Sequence, residues 1–425
     1  MADEIIFGPW IGAVTSTQAT IKAAVAPGVS PQLVVSRNSN LSNPTQHQPT
    51  RMSVAPEMTV VTFKLNALSA NQQFHYALQI NGSPVTSRQG RFRTFPTEGS
   101  PASFTFACAG DAKGGQLFSS YSNHRVFEMI HDEDPLFFIH LGDLHYGDSN
   151  SSTVADHVDE YRQVLEAERQ ALLYRNVPLA YTWDDHDYCG NASDSRSTGR
   201  RAARLAYQRC VPHYPLVEAG GVDGEHDVAI YQEPFTVGRV RFIITDTRSE
   251  RSDRTAADSA AKTILGAHQK QWLKETLFEG KEQFRLQVWV SSVPWIGNPD
   301  VDGEDSDPWF SYATERAEIG DFIHNNGIRN LLMLCADSHM IALDDGSNNR
   351  GATGAGGFPT FCASPLDRSN SIKGQPYSHG TFATHRGQYG LISITDNGGA
   401  TVQVTITGKH ENTPLVTLAF DSPMA

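Results

Sequence analysis

Apolar positions in residues 1 to about 97 fall in short, partly alternating runs: QATIKAAV, PQLVVSR, MTVVTFKL, QQFHYALQI and GRFRTF. The runs are rich in β-branched and aromatic residues, and clusters of Gly, Pro, Asn and Ser separate them. Period-two patterning between such breakers predicts strands, and several in series predict a small antiparallel sandwich of the fibronectin or immunoglobulin type. In LSANQQFHY, Phe74 follows Leu68 at the spacing where such folds often carry a corner tyrosine, so the corner hydrogen bond is missing. The stretch Pro96 to Ser103 (PTEGSPAS) reads as a linker. It divides the chain into a β-sandwich domain at 1–97 and a second domain at 98–425.

From SFTFACAGD onward the pattern becomes strand, loop, helix. LFSSYSNHRVFEMIHD carries Val126, Phe127 and Ile130 at helical spacing, and the strand PLFFIHLGD follows it. Ala155 to Tyr174 predicts one long amphipathic helix, and Val177 to Trp183 the next strand. GRRAARLAYQRC predicts a further helix whose four arginines form a solvated face. RVRFIITD, RLQVWVSS and NLLMLCAD are near-continuous apolar strands, with AHQKQWLKETLF and TERAEIGDFIHNNG as helices between them. Such alternation predicts a covered, mostly parallel sheet. GLISITDNGGATVQVTITG predicts a hairpin around Asn397–Gly398–Gly399. The stretch Gly351 to Phe358 (GATGAGGF) reads as a loop near the site; without a G-x-x-x-x-G-K-S/T pattern it is no phosphate cradle.

Four of the apolar runs end in Asp or His. FTFACAG delivers Asp111, and FFIHLG delivers Asp143, with Tyr146 three residues on. The strand before YTWDDHDY delivers Asp184, Asp185, His186 and Asp187, and NLLMLCAD ends in Asp337-x-His339. A carboxylate at the end of a hydrophobic strand is unfavourable unless it binds something. Singly, each has an ordinary reading: Asp111 and Asp143 as helix caps, the DDHD stretch as an acidic loop. Together they describe a metal site on an α/β sheet. His145 reads either as a group behind the ligands or as an exposed side chain. Arg248 and Arg251 in DTRSERS read either as phosphate grips or as a helix-edge salt bridge.

At 425 residues and a net charge of −13, the chain holds more than one domain and lacks the clustered cations that nucleic acid or an anionic membrane requires. No apolar run approaches the ~20 residues of a membrane span. The five cysteines are widely spaced, with no C-x-x-C, so neither a disulfide framework nor a thiolate zinc site is indicated. Cys335, inside LLMLCA, reads as a small buried hydrophobe. The beginning, MADEIIFGPW, lacks the basic and apolar regions of a signal peptide.

This constellation resembles the calcineurin-like metallophosphatases, and within them the PhoD-type alkaline phosphatase and phosphodiesterase branch. GPWIGAVTSTQA, FIHLGDLHYGD, YTWDDHD, FIITDTRSERS, LGAHQKQWL and LCADSH carry the resemblance, in the family's order and over nearly the whole chain. GDLHY is also similar to the purple acid phosphatases, whose tyrosine at that place binds ferric iron. The resemblance implies an α/β metallophosphatase sandwich, two sheets flanked by helices, preceded by an all-β fibronectin/immunoglobulin-like domain. It implies metal-dependent hydrolysis of phosphate esters by a hydroxide that the metals hold.

Carried over position by position, the ligands are Asp111, Asp143, Tyr146, Asp185, Asp337 and His339. His186 takes the family's general-acid role. Asp184 or Asp187 is the candidate to orient it, and His145, Arg248 and Arg251 are the candidates for contact with the substrate. Cys108 competes with Asp111, because some PhoD-type enzymes ligate iron through a cysteine near that strand end. VWVSSVPW lacks the histidine ligand that most calcineurin-like enzymes have there. The donor set is therefore oxygen-rich and suits two or more hard cations over Zn²⁺: Fe³⁺ with Ca²⁺ first, then Mn²⁺ or Mg²⁺, with Zn²⁺ as a further alternative. The substrate is a small-molecule or lipid phosphate ester. The alternatives are phospholipase D-like action on lipid head groups, or a non-catalytic binding module on the same scaffold. Relatives are typically exported, which implies a periplasmic or secreted protein whose leader this chain lacks; unpaired cysteines keep a cytoplasmic location open.

Overall fold

The computed structural model describes residues 4–114, 120–222, 224–297, 307–349, 357–374 and 376–424. Residues 351–356 of the glycine-rich stretch lie outside them. Among the described residues, the strands form sheets of ten, seven and five strands.

In the largest sheet Phe104–Ala109, Phe138–His140 and Leu179–Tyr181 run parallel, in register through Cys108↔Ile139 and Ile139↔Ala180. The seven-stranded sheet sets Val240–Ile244, Leu286–Val290, Leu331–Cys335 and Thr360–Ala363 side by side, also parallel. Alternate side chains point between the two sheets, where Phe106, Ile139, Phe242, Val288 and Leu334 share one core. The Phe106 ring stacks 5.0 Å from Phe137 and stands edge-on 5.3 Å from Phe242. The remaining side chains point outward onto helices. Ala107, Phe138 and Tyr181 meet Phe127 of Val126–Asp132, Val164 of Val154–Glu166 and Tyr207 of Arg200–Cys210. Trp289 and Met333 meet Leu273 of Gly266–Gln283 and Ile319 of Ala313–Asn325. Burial on both faces explains the continuous apolar runs, and at about 1.5–3 kcal/mol per large side chain it holds the strand ends rigidly in place.

The N-terminal strands form the predicted antiparallel sandwich, with Ile21, Val61 and Phe63 facing Leu33, Val35 and Tyr76. Hydrogen bonding nevertheless crosses the division at residue 97. Ile5–Gly12 pairs in parallel with Leu179–Tyr181, Gly12 opposite Leu179, so one sheet of the sandwich continues the large sheet. Glycine is needed there: a Cβ on residue 12 would meet the carbonyl oxygens of Pro212 at 2.3 Å and Leu179 at 2.4 Å. Two further ties cross the division. The Tyr76 hydroxyl donates to Arg175 O at 2.8 Å. Lys22 Nζ donates to Gln208 O and Arg209 O, at 2.5 and 3.2 Å, in the last turn of Arg200–Cys210.

Two helical expectations change. The segment expected as one helix is two, Val154–Glu166 and Glu168–Asn176, divided where Ala167 turns extended at φ −68° and ψ 118°. The arginines of Arg200–Cys210 are no solvated face. Arg204 is 2% exposed and donates to Ser249 and Glu250, Arg200 pairs with Glu250, and Arg209 pairs with Glu225. Arg201 alone of the four points outward. The hairpin Gln388–Thr395 to Val402–His410 forms as predicted, and Thr413–Ser422 extends it by a strand. All five cysteines are free and buried, Cys335 among them.

Candidate metal centre

The ends of both parallel sheets converge on one buried carboxylate cluster. Asp111, Asp143, Asp337 and His339 all adopt left-handed backbone, with φ of 63°, 54°, 61° and 52°. That region is sparsely populated by non-glycine residues and persists where the surroundings over-determine it. Here it turns the chain sharply off each strand and aims the side chain at the cluster. Gly142, at φ +105°, makes room: a Cβ there would lie 2.6 Å from the Cβ of Asp184. Asp111, Asp143, Asp184 and Asp185 are each at most 3% exposed, and Asp337 is 7% exposed.

Oxygens of Asp143 and Asp185 and a ring nitrogen of His186 lie within 4.8 Å of one another. His186 N donates to both carboxylates, at 3.3 Å to Asp143 Oδ1 and 2.9 Å to Asp185 Oδ1. On the other side, the Tyr146 hydroxyl donates to Asp111 Oδ1 at 3.3 Å, and His339 Nε2 lies 3.4 Å from that oxygen. Burial, then the neighbouring Asp185 and Asp111 charges, push the Asp143 carboxyl well above the carboxylate range. Burial also raises Asp337 against the pull of Lys373. Asp111 goes the other way: burial raises it, but His339, Ser364 and Lys373 together hold it below its usual value.

His186 is oriented by a residue the sequence reading passed over. Asp148 Oδ1 lies 2.5 Å from His186 Nδ1. Burial opposes the imidazolium, yet Asp148 and then Asp185 raise the His186 pKa above its usual value. The Tyr146 ring packs on the imidazole, with centroids 4.2 Å apart.

Several expected roles are corrected. Asp184 does not hold His186; it accepts from Arg248 Nε at 2.5 Å and Ser292 Oγ at 2.6 Å, and burial pushes it up to about 8. Asp187 is engaged by the Leu144 and Asp184 amides and the Tyr181 hydroxyl. Arg248 and Arg251, at 0% and 1% exposed, are buried in polar contacts within the protein, although Arg248 Nη2 and Arg251 Nη1 have no hydrogen-bond partner among the described residues. Arg248 also pairs with Asp307 at 3.1 Å, and Arg251 donates to Asp307 O and to Tyr312. His145 is neither exposed nor open to substrate: its ring stands edge-on to Tyr161 at 5.2 Å, and burial lowers it to about 3. Cys108 points with Phe106 into the core between the sheets, so the first strand brings Asp111 to the cluster and not its thiol. Lys373 went unforeseen; its ammonium contacts Asp337 Oδ1 at 3.3 Å and Asp337 O at 3.0 Å.

Asp111 Oδ2, Asp184 Oδ2 and Asp337 Oδ2 are buried without a hydrogen-bond partner among the described residues. Buried carboxylate oxygens are rarely left so unless a cation engages them. An oxygen-rich set with the phenol of Tyr146 and the imidazole of His339 therefore fits hard metal ions.

Comparison with known proteins agrees with this geometry. A structure described as that of PhoD is 16% identical, covers 99% of this chain and 91% of its own, and superposes with a TM-score of 0.76. A purple acid phosphatase isolated from yellow lupin (Lupinus luteus) seeds is 13% identical, covers 97% of this chain and 73% of its own, with a TM-score of 0.67. Both show the fold, two helix-flanked sheets with the N-terminal β region. Among curated proteins, none matches by sequence. The family model described as PhoD-like phosphatase matches residues 105–407, from the strand Phe104–Ala109 into the strand Val402–His410. That span contains every residue of the carboxylate cluster, and the chain belongs to the PhoD-like phosphatases, enzymes that hydrolyse phosphate esters with bound metal ions.

Proposed function

We propose that Asp111, Asp143, Tyr146, Asp185, Asp337 and His339 hold the metal ions of this phosphoesterase, and that His186 is its general acid. The observation that carries this reading is the set of partnerless buried oxygens on Asp111, Asp184 and Asp337 beside the Asp143–Asp185–His186 grouping. Bound there, the ions supply Lewis-acid activation of water and neutralise phosphate charge. The protein does the rest through its own side chains. Asp148 fixes His186 by Nδ1, which leaves Nε2 to deliver a proton to the departing ester oxygen. Arg248 and Ser292 hold Asp184 beneath Asp185 and keep the ligand loop in place.

For the metals, Fe³⁺ with Ca²⁺ is the reading that the phenol of Tyr146 among carboxylates supports best. Export is the corresponding reading of location, supported by family membership. The experiment is metal analysis of the purified protein together with hydrolysis of a monoester and a diester of one phenol, before and after chelation. Activity and metal content should fall together and return together on adding metal back. Chelated, metal-free protein with full activity would end the proposal.

A further inference from the structure

Resting on the phosphoesterase reading above, we propose that Lys373, Arg368 and Lys113 form a cationic rim that binds the dianion of a phosphomonoester, and so select monoesters over diesters. Lys373 is the centre of it. An ammonium has three N–H donors. Asp337 takes two of them, through its carboxylate at 3.3 Å and its carbonyl at 3.0 Å, and the third has no hydrogen-bond partner among the described residues. The side chain is 34% exposed, so the ammonium borders the carboxylates and also reaches solvent. Arg368 and Lys113 lie over the Tyr146 ring, at 5.1 and 5.3 Å from its centroid, and the hydroxyl of that ring donates to Asp111 of the same carboxylate cluster. Arg368 Nε is buried without a hydrogen-bond partner among the described residues. Arg248 and Arg251 are already engaged, Arg248 by Asp184 and Asp307 and Arg251 by Asp307 and Tyr312.

The charge of the substrate decides what such a rim does. Above about pH 6 a phosphomonoester carries two negative charges and three terminal oxygens. A diester carries one charge and has a second organic group where the monoester offers an oxygen. Cations added to a site that already holds metal ions therefore act chiefly on the second charge. Charge-assisted hydrogen bonds in a partly buried site discriminate such charges by about threefold to tenfold each.

The test compares nitrophenyl phosphate with methyl nitrophenyl phosphate on metal-loaded protein. Lys373→Met should lower kcat/KM about thirtyfold on the monoester and about threefold on the diester. Lys373→Arg, which keeps the charge, should restore most of the ratio. Arg368→Met, which removes a cation that no carboxylate holds among the described residues, should shift the ratio the same way by about threefold. A readout independent of turnover is calorimetric binding of inorganic phosphate against dimethyl phosphate, whose preference for the dianion should collapse in Lys373→Met. Should Lys373→Met alter metal content, the Arg368→Met ratio decides. Variants that hydrolyse both esters with the wild-type ratio overturn this inference alone. Wild-type protein that hydrolyses neither ester overturns the phosphoesterase reading, and the inference falls with it.

Discussion

Asp148→Asn removes one charge beside His186 and leaves a side chain of the same size. The carboxylate lies 2.5 Å from Nδ1, with side-chain exposures of 14% for the histidine and 46% for the aspartate. Burial disfavours the imidazolium, and the Asp148 hydrogen bond, followed by the Asp185 charge, reverses that and raises the pKa. A hydrogen bond to a charged partner contributes about 1.5–3 kcal/mol, and the half-exposed aspartate argues for the lower end. About 1.4 kcal/mol corresponds to about one pKa unit. A general acid acts only while protonated, so the variant's alkaline limb should move down by about one pH unit. Above both pKa values the rate on an alkyl phosphate should fall about tenfold, and below both it should not change. Nitrophenolate departs without a proton, so its phosphate ester should scarcely notice the substitution. The assay is the pH–rate profile on both esters, with metal content measured alongside. An unmoved limb, an equal loss on both esters or a loss of metal would refute the acid role. His186 would then be a ligand with Asp143 and Asp185, whose donor atoms lie within 4.8 Å of it.

Other substitutions probe the ligands and the frame. If ferric iron sits against Tyr146, concentrated protein should be coloured by a phenolate-to-iron band, and Tyr146→Phe should bleach it; an iron-free, colourless and fully active preparation would leave Ca²⁺, Mg²⁺ or Mn²⁺. Arg248→Met strands Asp184 and Asp307, and breaking a buried ion pair from one side costs about 3–5 kcal/mol, so the denaturation midpoint should drop sharply. Gly12→Ala should destabilise by about 1–3 kcal/mol through overpacking against Pro212 and Leu179, with the metal cluster's composition unchanged in the folded fraction.

Much of the site was legible because strand grammar and chemistry end together. Asp111, Asp143, Asp185 and Asp337 each close an apolar run, and parallel strands buried on both faces can only release such residues at one edge of the sheets. What the pattern could not give was the pairing of cations. Arg248 and Arg251 read as phosphate grips because a sequence does not reveal that Asp307, from a distant loop, already occupies them. Arg204 read as solvated for the same reason, although Glu250 and Ser249 enclose it. Asp148 sat in plain view in GDLHYGD, but an aspartate in a polar loop carries no mark of the imidazole it will meet. Lys373 lies in a segment without periodicity, and its partner Asp337 is adjacent only in the fold. The break at Ala167 has no glycine or proline to announce it.

The pairing of Gly12 with Leu179 also sets an order of events in time. Roughly 170 residues separate the partners, and at about 5–20 residues per second a ribosome spends some 8–35 s between them. Through that interval Ile5–Gly12 has its antiparallel neighbour Ala19–Val25 on one side and an open row of amides and carbonyls on the other. The N-terminal sandwich thus emerges early with one edge exposed, and the arrival of Leu179–Tyr181 covers its Gly12 end. Pulse-labelled nascent chains stalled with residue 181 still inside the ribosome and well beyond it should differ in the protection of the Gly12 amide, where Leu179 pairs with that edge.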